Sequence, residues 1–91
     1  MIGQFVRSMA GHDAGKIYVV VAEDKDFVTL SDGRLKTTDK PKIKNKKHIQ
    51  AIKKNYDTEL ADKITGGDKA VNEAIKRAIK LFKQEEADVK S

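Results

Sequence analysis

The sequence predicts a mainly-β domain with an α extension, a small β-barrel followed by C-terminal helices. Three observations predict it. Short runs of β-branched and aromatic residues recur between tight-turn signals over residues 1–55. After Tyr56 the apolar period changes to three and four, the spacing of a helix face. The chain has only 91 residues, room for four or five short strands beside the helices, and a sheet that small removes its exposed edges by closing. The expected organisation is a barrel over 1–55 and a helical extension over 56–91, with a short helix near 58–64 and a longer one near 68–86.

Gly3 to Ser8 reads as the first strand, with Phe5 an apolar residue among polar neighbours. Residues 8–15, Ser-Met-Ala-Gly-His-Asp-Ala-Gly, read as a turn punctuated by two glycines and an aspartate. Lys16 to Glu23 is the second strand, and its nearly continuous I-Y-V-V-V-A run is that of a central strand buried on both faces. Residues 23–26 form a charged hairpin turn, and Phe27 to Leu30 a third strand closed by Ser31-Asp32-Gly33. Pro41 keeps Lys40 extended. Lys42-Ile43-Lys44 and His48 to Ile52 both alternate, which predicts at least one strand, the later being the stronger candidate. Leu60, Ala61 and Ile64 suit a short helix capped by Asp57 or Thr58, which Gly66-Gly67 breaks. Beyond it Val71, Ala74, Ile75, Ala78, Ile79 and Phe82 form one apolar stripe, with Lys69, Lys76, Lys80 and Lys83 on the opposite side. Glu73 and Arg77 stand at i,i+4, and the end from Ala87 is expected to fray.

Charge is distributed unevenly. Residues 34–54 hold nine basic side chains against Asp39 alone, a net of +8, while residues 1–33 carry −2 and residues 55–91 carry −1. The whole excess of +5 therefore sits in one window, the footprint of a polyanion binder. The chain has no cysteine, which excludes disulfides and thiol chemistry and suits a reducing compartment. Its longest apolar run, Ile17 to Ala22, is far too short to span a membrane, and no signal peptide is evident, so a cytoplasmic location is expected.

The opening stretch G-Q-F-V-R-S-M-A-G-H-D-A-G-K-I-Y-V-V-V resembles a KOW motif, with Gly3, Val6, Ser8, Gly11, Asp13, Gly15, Lys16 and the valines at 19–21 in register. Together with V-T-L-S-D-G and K-N-K-K-H-I-Q, the match over roughly residues 2–52 is similar to archaeal and eukaryotic large-subunit ribosomal proteins of the fourteen-e and six-e type. It resembles more closely still the short KOW-domain RNA-binding proteins of some bacteria. The resemblance implies an SH3-like barrel that binds RNA, often ribosomal RNA; the same barrel also serves transcription factors and protein-binding modules. The tail from Tyr56 falls outside it.

The residues themselves support a loop suited to backbone approach. Gly11 and Gly15 permit positive φ where the chain reverses, and Asp13 can pin the loop by accepting backbone amides. Ser8, His12 and Lys16 could then meet a sugar-phosphate backbone; the alternative for Gly11, Asp13 and Gly15 is that they shape the hairpin and nothing more, with Gly3 a further structural residue of the motif. Arg34, Lys36, Lys40, Lys42, Lys44, Lys46, Lys47 and His48 form the expected phosphate-contacting face. Catalysis finds no nucleophile–base arrangement, and two isolated histidines without a carboxylate cluster do not make a metal site, so no enzyme activity, metal or cofactor is expected. Phe5, Phe27 and Phe82 fall where a core needs them, leaving Tyr18 and Tyr56 as the only stacking candidates, with a place in the core or at its rim preferred for both. The expected function is therefore a monomeric module that holds structured RNA by backbone and shape. The other reading is a protein-interaction adaptor, in which the stripe of Val71, Ile75, Ile79 and Phe82 docks on a ribosomal or transcription component or on a second copy; otherwise the stripe covers the barrel or the 58–64 helix.

Overall fold

The computed structural model describes residues 1–52 and 58–90, the side chains of 87–90 aside; Lys53, Lys54, Tyr56, Asp57 and the expected domain boundary lie outside the described residues. Five strands, β1 (Phe5–Ser8), β2 (Ile17–Glu23), β3 (Phe27–Ser31), β4 (Lys42–Asn45) and β5 (Ile49–Ile52), precede two helices, α1 (Thr58–Thr65) and α2 (Val71–Lys90). All strand pairs are antiparallel, in the order β4-β3-β2-β1-β5. Both alternating segments of the basic window are strands, and a 3-10 turn at Lys46–His48 joins them, with the Asn45 side chain accepting the Lys47 N–H.

The centre of the sheet is buried on both faces, as the β2 run predicts. On one face Val6, Tyr18, Val20, Val28 and Leu30 form a cluster joined by Met1 and Ile49. Among the described residues no helical side chain belongs to that cluster, so the sheet covers it by its own curvature. The ladder does not close into the expected barrel, however: the edge strands β4 and β5 share no pairing among the described residues. Each has only four residues, and the single turn of 3-10 helix between them redirects the chain from one edge to the other. On the other face Phe5, Ile17 and Val19 meet Leu60 of α1 and Val71, Ile75, Ile79 and Phe82 of α2. Phe5 and Phe82 stack with ring centroids 5.0 Å apart. The apolar stripe of α2 is thus spent on the sheet.

Two polar ties fix α2. Asn72 accepts the Thr38 N–H at 2.9 Å and donates to the Thr38 hydroxyl at 3.2 Å, while Arg7 on β1 pairs with Glu86 at 2.7 Å. The helix starts at Val71 rather than Asp68, because Asp68 spends its carboxylate on the Ala70 N–H and its carbonyl on the Val71 N–H. It runs to Lys90, past the expected fraying point. Glu73 pairs with Lys76 at 3.2 Å, one residue short of the expected Arg77.

The turn after β3 shows how closely α2 approaches. The Asp32 carboxylate accepts the N–H groups of Arg34 and Lys36, holding Gly33 at φ 72° directly against the helix backbone. A Cβ on Gly33 would collide with the Asn72 carbonyl oxygen and lie 2.8 Å from the Lys76 nitrogen, whereas one on Gly15, at φ 89°, would meet nothing within 4 Å. Both substitutions to alanine strain the backbone. Gly33→Ala is expected to cost about 3 kcal/mol or more and Gly15→Ala about 1 kcal/mol. Urea midpoints of the two variants, compared with the parent, measure the difference. Among the described residues no helix is long and apolar enough to cross a membrane.

Candidate nucleic-acid interface

The β4 alternation runs opposite to the usual polar-out pattern. Ile43 is 67% exposed, while Lys44 is 9% exposed and lies on the concave face opposite Val28. The Lys44 ammonium donates to the Ser8 hydroxyl at 2.6 Å, the Ala10 carbonyl at 2.6 Å and a carboxylate oxygen of Asp13 at 2.8 Å. Three donors meet three acceptors, which is what a buried ammonium requires. The other Asp13 oxygen accepts Lys42 at 2.9 Å and the Tyr18 hydroxyl at 3.2 Å. This buried network ties β4 to the loop between β1 and β2.

Several expected contacts are corrected by it. Ser8 is fully buried and Lys44 nearly so, so neither presents its polar atoms to a bound backbone. Asp13 pins the loop through side-chain ammonium groups rather than by accepting backbone amides. Tyr18 is 3% exposed, with its hydroxyl committed to Asp13, and is no stacking platform. Phe27, expected in the core, is instead 45% exposed on the convex side of β3. Gly11 and Gly15 do adopt positive φ, and the Gly15 N–H closes the loop onto the Ser8 carbonyl at 2.7 Å.

The network carries a pH signature. Burial would raise the Asp13 carboxyl, but hydrogen bonds from Lys44 and Lys42 outweigh it and hold the group well below the usual carboxylate range. Burial, with the Asp13 carboxylate beside it, pushes the Tyr18 phenol up to about 12. A lowered carboxyl stabilises the fold above its unfolded pKa of about 4 and loses that contribution as pH falls further; a raised phenol does so below about 10 and loses it as pH rises. Stability is thus expected to decline below about pH 4 and above about pH 10. Urea midpoints across pH, with Asp13→Asn flattening the acid limb, and the phenolate absorbance of a Tyr56→Phe variant check the two limbs.

The remaining basic residues do not form one face. Lys46 pairs with Glu23 at 3.2 Å, whose carboxyl is lowered by the chain's amino group and by Lys46. His12, Lys36, Lys40, Lys47 and His48 are exposed. Lys16 and Arg34 go elsewhere: with Lys76, Lys80 and Lys83 of α2 they line a groove of about 1150 Å³ that Lys63 and Arg77 also border. Among the described residues seven cations line this groove against the three acids Asp32, Asp68 and Glu73. The positions 76, 80 and 83 share one side of α2, spaced i, i+4 and i+7. Each follows a stripe residue, Ile75, Ile79 or Phe82, by one position, so this side flanks the stripe at about 100° and lines the groove with Lys16 and Arg34.

The helical cations were visible in the sequence only as the face opposite the stripe. Their segment nets −1, because acids such as Glu85 and Glu86 offset them in the count while lying outside the groove lining. An electropositive concavity with neither a nucleophile–base pair nor, among the described residues, a cluster of potential metal ligands is suited to holding a polyanion. No protein-family model matches the chain, and no curated protein matches it.

Proposed function

We propose that the chain is a non-enzymatic RNA-binding module that acts as a monomer in the cytoplasm and holds structured RNA, ribosomal RNA above all, through its phosphate backbone. The observation that carries this reading is the gathering of Lys16, Arg34, Lys76, Lys80 and Lys83 around one groove. These residues come from the motif loop, the β3 turn and α2, so the helical extension forms one wall of the site. The curled sheet, with β5 returning beside β1 after one turn of 3-10 helix, suits an incompletely closed SH3-like barrel of the KOW type. The adaptor reading gains nothing from the structure, since Val71, Ile75, Ile79 and Phe82 are buried in the core.

Fluorescence anisotropy with a labelled, folded RNA tests the proposal. If these five of the groove's cations each neutralise a phosphate, log affinity falls with log salt at a slope of about −3.5 to −4.5. The triple variant Lys16→Gln, Arg34→Gln, Lys80→Gln is expected to flatten that slope by about 2 to 3. Affinity that ignores both salt and the triple variant would refute the proposal.

A further inference from the structure

The groove's shape and lining narrow the kind of RNA it takes, on the footing that it binds RNA at all. Its cations stand on two walls, Lys16 and Arg34 on the sheet side and Lys76, Lys80 and Lys83 on the helix side. Apolar groups share the lining: Ile17, Ala70, Ala74 and Ile79 contribute to it beside the acids Asp32, Asp68 and Glu73, and Leu35 stands 75% exposed next to Arg34. An apolar surface offers nothing to phosphates but can cover a base or ribose. A duplex meets a protein with convex phosphate rails and keeps its base faces stacked inside, so it can reach the rim of such a groove but not its floor. An unpaired strand can enter.

We infer that the groove takes an unpaired strand of RNA, with Lys16, Lys76, Lys80 and Lys83 meeting phosphates and Leu35 with the Arg34 guanidinium forming a platform for a base. Lys76 and Lys80 are one helical repeat apart, about 6 Å along the axis, so neighbouring phosphates of one strand can each find a cation. A leucine and a guanidinium plane accept any base face, and among the described residues no exposed aromatic ring lines the groove, so the preference among bases is weak. In a folded RNA the ligand is a loop, bulge or end.

Anisotropy with labelled 12-nucleotide oligo(U) and oligo(A) strands, and with the duplex they form together, tests the inference at one low salt concentration. The strands are expected to bind about tenfold tighter than the duplex, oligo(U) and oligo(A) about equally. Leu35→Ser is expected to weaken strand binding about fivefold while leaving the salt slope and the melting temperature unchanged, because Leu35 is exposed and uncharged. Equal binding of strand and duplex, both weakened by Lys16→Gln with Lys80→Gln, would overturn the inference and leave the RNA-binding reading standing. An unaltered strand affinity in Leu35→Ser would overturn it too. No salt-dependent binding of strand or duplex would overturn both.

Discussion

Lys44→Met is expected to remove about 3–5 kcal/mol of stability, the cost of breaking a buried charge pair from one side. The variant keeps the aliphatic length and deletes the ammonium. The Ala10 carbonyl, the Ser8 hydroxyl and one oxygen of Asp13 then lose their shared donor, while Asp13 remains 5% exposed. Lys42 still reaches Asp13, but at 31% side-chain exposure it is a partly screened partner. For a domain of this length, total stability is on the order of 5–14 kcal/mol, so the loss is a large share of it. Urea denaturation followed by circular dichroism measures it. Removing the carboxylate as well, in Lys44→Met with Asp13→Leu, should recover part of the loss, since a buried pair can be exchanged for apolar groups more cheaply than it can be halved. A loss below about 1 kcal/mol in the single variant would mean that the ammonium contributes little to the fold.

Ile75→Ala is expected to cost about 2–5 kcal/mol. Ile75 is fully buried at the centre of the helix–sheet core, with Ile79 and Val71 a turn away on the same stripe of α2. Its truncation leaves a cavity that the rest of the stripe cannot fill without moving the helix. The effect should extend to function, because α2 supplies Lys76, Lys80 and Lys83 to the groove. The same variant is therefore expected to bind folded RNA more weakly, even where it remains folded. Parallel urea and anisotropy titrations separate the two effects. Unchanged stability would mean that the helix is a dispensable appendage.

The local signals in the sequence reached the structure largely intact. The I-Y-V-V-V-A run is the central strand, Asp32-Gly33 is a tight turn, and the stripe from Val71 to Phe82 is the buried side of α2. These features depend on neighbours within a few residues. What was not legible depended on partners far along the chain. Lys42-Ile43-Lys44 read as a lysine-bearing outer surface, yet its lysines turn inward because Asp13, some thirty positions earlier, waits on the concave face. The basic window dispersed for the same reason: Asp13 and Glu23 each claimed part of it. The groove combines Lys16, Arg34 and three residues of α2, and only the docking of that helix assembles them. A charge count along the chain has no access to such a juxtaposition.

Amide chemical-shift mapping of the full chain, titrated with a folded RNA that carries an unpaired loop, probes the groove most directly. Shifts concentrated at Lys16, Arg34, Leu35, Lys76, Lys80 and Lys83, and fading as salt is raised, are the predicted result. Shifts confined to Lys47, His48 and the strands beside them, with the groove residues unmoved at saturation, would contradict it.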